Sequence, residues 1–65
     1  MKITDIEKWL EEDVSNLTDT QLEERREKLE QAMDKELNKA LPNDDYLDLA
    51  NAALLCVIEE IMRRF

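Results

Sequence analysis

"KALPNDDYL", residues 39–47, decides the fold. Pro42 is the only proline in a chain without glycine. It disfavours helical geometry at Leu41 and cannot continue a hydrogen-bond ladder, so one helix stops here. Asn43 or Asp44 then stands ready to cap the next. A connection of so few residues makes the flanking helices antiparallel neighbours.

Upstream, "TDTQ" at 18–21 has the capping-box form, with Leu17 and Leu22 spaced as a hydrophobic staple. A helix over 19–41 follows, its apolar seam running Leu22, Leu29, Met33, Leu37, Ala40 and Leu41, and the stem of Arg26 covers the gap. Downstream, a helix over 44–65 opens on Asp44 and Asp45 and closes on Arg63 and Arg64, both favourable to its dipole. It holds half of the hydrophobic residues. Leu47, Ala50, Leu54, Ile58, Ile61 and Phe65 fall on one face, and Leu49, Ala53, Cys56 and Val57 carry the apolar arc round the side.

At the N-terminus "TDIE", residues 4–7, again has the capping-box form, and Ile6, Trp9, Leu10 and Val14 make a one-sided stripe that frays near Ser15 and Asn16. The expectation is an all-α, small three-helix protein: a short N-terminal helix plus an antiparallel helical hairpin, over about 5–15, 19–41 and 44–65, in one domain spanning 1–65. A first helix of about three turns is too short to cover the third along its length. Leu49, Ala53, Cys56 and Val57 are therefore expected to face a second copy, as a homodimer, or another protein.

Seventeen acids against nine bases leave a net charge of −8, with eight acids and two bases within residues 1–24. Such a field repels nucleic acid and anionic membranes and favours a protein partner with a basic surface. "MKITDIEKWLEED" has no apolar core of a secretion signal, and the run 49–58 is too short to span a bilayer, so a cytoplasmic protein is expected.

The same inventory excludes most chemistry. There is no histidine for a general base or zinc site and no glycine for a phosphate loop. Cys56, between Leu55 and Val57, reads as a small core residue and not a nucleophile. Glu11, Glu12, Asp13 and Asp19 do not follow a calcium-loop pattern. "EERREK" at 23–28 sums to zero charge and reads as surface pairs such as Glu24 with Lys28. No enzyme, no cofactor and no metal are expected. Trp9 reads as core, and Asn51 as a polar residue within the apolar arc that fixes register or meets water.

The outline of residues 22–65 is similar to the helical hairpin of the sporulation-type aspartyl-phosphate phosphatases. "ANAAL" at 50–54 stands where that family carries Ser-Gln-Glu-Leu-Asp, so the resemblance implies a shape and no phosphatase activity.

The functional expectation is a small acidic, non-enzymatic protein–protein interaction module of the kind that phages and mobile elements use as an inhibitor of a host protein. In its sharper form it is a nucleic-acid mimic presenting Glu7, Glu11, Glu12, Asp13, Asp19, Glu23 and Glu24. The alternative is a structural homo-oligomeric subunit of a helical bundle.

Overall fold

The computed structural model describes residues 1–65 as three α-helices, α1 (Ile3–Glu11), α2 (Asp19–Leu37) and α3 (Asp44–Arg64), with a 3₁₀ turn at Val14–Asn16 between the first two. α2 and α3 form the expected antiparallel hairpin. α1 runs parallel to α3: the Met1 carbonyl accepts from the Tyr46 hydroxyl (2.9 Å) near one end of α3, while Arg64 donates to the Ser15 carbonyl (3.2 Å) at the other. α3 is thus the central element on which both others pack.

The caps of the hairpin follow from the sequence. Thr18 accepts from the Gln21 N–H (3.1 Å), and the Gln21 side chain accepts from the Thr18 N–H (2.9 Å). Leu22 is fully buried and Leu17 packs against the same core. Asn43 is the residue that caps α3, accepting from the Tyr46 N–H (3.2 Å). Thr18→Ala leaves the Gln21 amide without its acceptor at a helix start; thermal unfolding is expected to show a loss of about 1 kcal/mol.

Helix α1 departs from the expected 5–15. It starts two residues earlier, at Ile3, and its cap residue Lys2 makes no side-chain bond, so the Thr4–Glu7 capping box does not form. The cause is tertiary: Ile3 packs on the core and Met1 is tied to Tyr46, so helical geometry is drawn back past Thr4. The helix ends at Glu11, and Asp13 opens the 3₁₀ turn by accepting from the Ser15 amide (3.0 Å) and hydroxyl (2.7 Å). The two hydrogen bonds, the hydroxyl's first, hold the Asp13 carboxyl below its ordinary pKa. Helix and turn together reach from Tyr46 to Arg64. The cover for α3 that a lone three-turn helix could not supply therefore comes from within the chain.

Helix α2 also stops short of the expected 41, at Leu37. The carboxylate of Glu36 reaches forward to accept from the Asn43 N–H (2.9 Å) and from Lys39 Nζ (3.0 Å), which folds residues 38–43 into a turn instead of another helical turn. Leu37 is accordingly 58% exposed and Leu41 90% exposed, so the buried seam of α2 is Leu22, Leu29, Ala32 and Glu36. Arg26, expected to roof the seam, is half-exposed and paired with Glu23 (2.6 Å). Its neighbour Arg25 is the more covered of the two, lying over the Trp9 ring (4.7 Å to the centroid) and bonded to Glu12. No Glu24–Lys28 pair forms; these two pairs replace it.

The Asn43 N–H first, and Lys39 second, hold the Glu36 carboxyl below the usual glutamate range. A depressed folded-state pKa means that this contribution is complete above the unfolded-state value, about 4.3, and is lost as pH falls through the folded value. Urea midpoints measured from pH 7 to pH 2.5 should therefore fall on the acid side in the native chain. In Glu36→Gln the midpoint should start lower at pH 7 and vary less with acid.

The core consists of Ile6, Leu22, Leu29, Ala32, Tyr46, Ala50, Ala53 and Val57. On α3 the inward face is thus Tyr46, Ala50, Ala53 and Val57, continued by Glu60, whose carboxylate bonds Arg64 (2.9 Å) and Arg63 (3.3 Å). The alanines let two helices approach one side of α3. Leu49, Leu54 and Ile61 flank them, half-buried.

Candidate interaction face

The inward choice of Ala53 and Val57 corrects the expected partner strip. Ala53 is 4% and Val57 2% exposed, both within the chain's own core, and Leu49 packs against that core. Cys56, expected in the core, is exposed. The strip is not a continuous surface, because Ala53 and Val57 are turned into the chain's own core and only Cys56 is exposed.

The unpartnered apolar surface of α3 lies elsewhere. Leu47, Leu54 and Ile58 are only half-buried, and Leu55, Met62 and Phe65 are 50%, 72% and 86% exposed. At 100° per residue these six fall within about 100° of one another, on the side of α3 turned away from Ala53. From Leu47 to Phe65 the stripe is about 27 Å long at 1.5 Å per residue. Ile61 and Phe65 meet Leu22 and the first turn of α2 in a shallow groove at one end of it. Asn51 sits exposed in its middle. A polar residue at 51 among apolar 47, 54 and 58 was the sequence signal that this face meets water in the isolated chain.

The carboxylates expected to act together divide into two groups. Glu12 is bonded to Arg25, Asp13 to Ser15, Asp19 to Arg64 (2.8 Å) and Glu23 to Arg26. Glu7, Glu11 and Glu24 are exposed and form no ion pair. No group of three or more acidic or cysteine side chains is arranged to hold a metal ion, and no helix is long and apolar enough to cross a membrane.

Arg64 is the most connected cation. It bonds Glu60 and Asp19 and reaches the Val14 and Ser15 carbonyls, and the two carboxylates, Asp19 first, raise its pKa. This closes the end of the bundle where the 3₁₀ turn, the start of α2 and the end of α3 converge. Trp9 is half-buried, packing on the core with one part and facing the space between α1 and α2 with another.

No family model, curated protein or solved structure matches this chain.

Proposed function

We propose that this chain is a non-enzymatic protein-binding module whose contact surface is the outer face of α3. The observation that supports this is the stripe of Leu47, Leu54, Leu55, Ile58, Met62 and Phe65, three of them half-buried and three exposed although α3 is packed by both other helices. A contiguous apolar stripe with a charged surround is the ordinary anatomy of a helix-mediated contact. The exposed Phe65 and Met62 are the anchors expected to matter most. A cytoplasmic inhibitor of a host protein, of the phage or mobile-element kind, is the setting in which this reading places the chain. Nucleic-acid mimicry ranks below it, because four of the seven carboxylates it would use are already bonded within the chain.

Self-association is a second reading, favoured by one spacing. Leu47, Asn51, Leu54, Ile58, Ile61 and Phe65 follow alternating steps of four and three residues, the rhythm of a coiled-coil seam with Asn at one core position. Two copies meeting along α3 would pair Asn51 across the seam.

Sedimentation velocity from micromolar to millimolar chain, together with capture from source-cell lysate at low and moderate salt, tests both. Ile58→Lys is the diagnostic variant. Concentration-dependent mass lost in Ile58→Lys would support self-association. A strictly monomeric chain that captures a salt-resistant protein, again lost in Ile58→Lys, would support a heterologous partner. Capture abolished by moderate salt and unaffected by Ile58→Lys would overturn the α3 reading in favour of the acidic surface.

A further inference from the structure

The chain carries nine cationic side chains, and five of them are in ion pairs: Arg25, Arg26, Lys39, Arg63 and Arg64. The other four are Lys2, Lys8, Lys28 and Lys35. All four line one trough. α1 and α2 both pack on α3 and are bridged where Arg25 lies over Trp9, leaving beside that bridge a cleft of about 500 Å³ whose walls include Lys8, Lys28, Lys35 and Trp9. It joins, through Met1, Ala32 and Lys35, a second depression of about 470 Å³ that adds Lys2 and the Glu36–Lys39 pair. Of the carboxylates along the trough, Glu12 and Glu36 are already bonded to Arg25 and Lys39, which leaves only Asp5 free. In a protein of net charge −8, this is the one place where unneutralised positive charge gathers.

We propose that the trough between α1 and α2 binds a short acidic peptide segment of another protein. The argument rests on charge and length. From Lys28 to Lys35 along α2 the cleft extends about 10 Å at 1.5 Å per residue, the span of about three extended residues, and the second depression carries it on to Lys39. A single small anion would engage one or two of the lysines and leave the others unmatched. A nucleic acid would continue past the Lys28 end of the trough toward Glu24, where its phosphates meet like charge within a Debye length of about 8 Å. A short acidic strand matches the positive floor and stops where the acidic walls begin. Trp9 offers an apolar face beside Lys8 and Lys28 for a side chain between the ligand's carboxylates. This site is separate from the outer face of α3, and neither requires the other.

Trp9 is the only tryptophan, so its emission reads the trough directly. The native chain should be titrated with a blocked hexapeptide of aspartate and glutamate around one leucine, at low and at 0.15 M salt. A saturable change in Trp9 emission is expected, weakened at the higher salt. The double variant Lys28→Glu with Lys35→Glu should weaken it at least tenfold, and Lys28→Gln with Lys35→Gln by a smaller factor, with circular dichroism showing the helices intact. Both lysines are exposed, so neither variant disturbs the core. Ile58→Lys should leave the titration unchanged. The proposal is overturned by no saturable change at millimolar peptide, or by a change that survives both lysine variants. It is equally overturned if inorganic tripolyphosphate or a single-stranded oligonucleotide binds as tightly as the peptide.

Discussion

Leu29→Ala is expected to unfold a large fraction of the chain at physiological temperature, whereas Leu37→Ala should be almost silent. The seam read from the sequence includes both leucines, yet Leu29 is fully buried and Leu37 is 58% exposed. Truncating a buried leucine removes its transfer free energy and leaves a cavity, together about 2–5 kcal/mol. A domain of this length has a total stability of the order of 3–10 kcal/mol. The loss is therefore a large share of everything that holds the fold. At roughly 4–8 °C per kcal/mol, Tm should fall by about 10 °C or more for Leu29→Ala. Leu37→Ala should stay within about 0.5 kcal/mol of the native chain. Calorimetry of the two variants decides the matter, and equal effects would mean that the seam extends to Leu37 after all.

The second large effect is expected from enlarging a small residue. Ala50 is fully buried on the side of α3 that receives the other helices. Ala50→Leu must drive three more carbons into a closed interface, at a cost of about 1–3 kcal/mol. Ala52, two positions on, is exposed. Ala52→Leu has nearly the same helix propensity and meets only water, so its urea midpoint should stay near the native one. A neutral Ala50→Leu would indicate a loosely packed bundle in which the choice of inward face is not enforced by fit.

Much of this architecture was legible in the residues. Asn43 and the Thr18–Gln21 box act over three or four residues, and a signal that local survives into the folded chain. The misreadings share one cause, which is partnership beyond the reach of a single helical turn. "TDIE" and "TDTQ" have equivalent forms, but Met1 is bound by Tyr46, 45 residues away, and the helix start moves upstream of Thr4. The end of α2 depends on a carboxylate at 36 finding an amide at 43. Choosing between the two apolar sides of α3 required knowing where α1 lies. The small residues Ala50 and Ala53, followed by Val57, were the available clue, since close approach favours small side chains over Leu47 and Ile58. The lysine trough was hidden in a different way. Lys8 and Lys28 lie twenty residues apart in a composition dominated by acid, and only the cleft between two helices brings them together.

The backbone contains no residue with positive φ and no cis peptide, and the chain contains no glycine. Each connector is therefore built from conformations that residues with a Cβ adopt freely. Only ten of the 65 residues are buried, so the favourable term from the core is small. A glycine-free chain has less freedom to surrender when it orders, since each Cβ already narrows the unfolded ensemble, by about 0.4–1 kcal/mol where alanine replaces glycine at a compatible position. Part of what keeps so thin a core folded is thus a property of the chain before it folds.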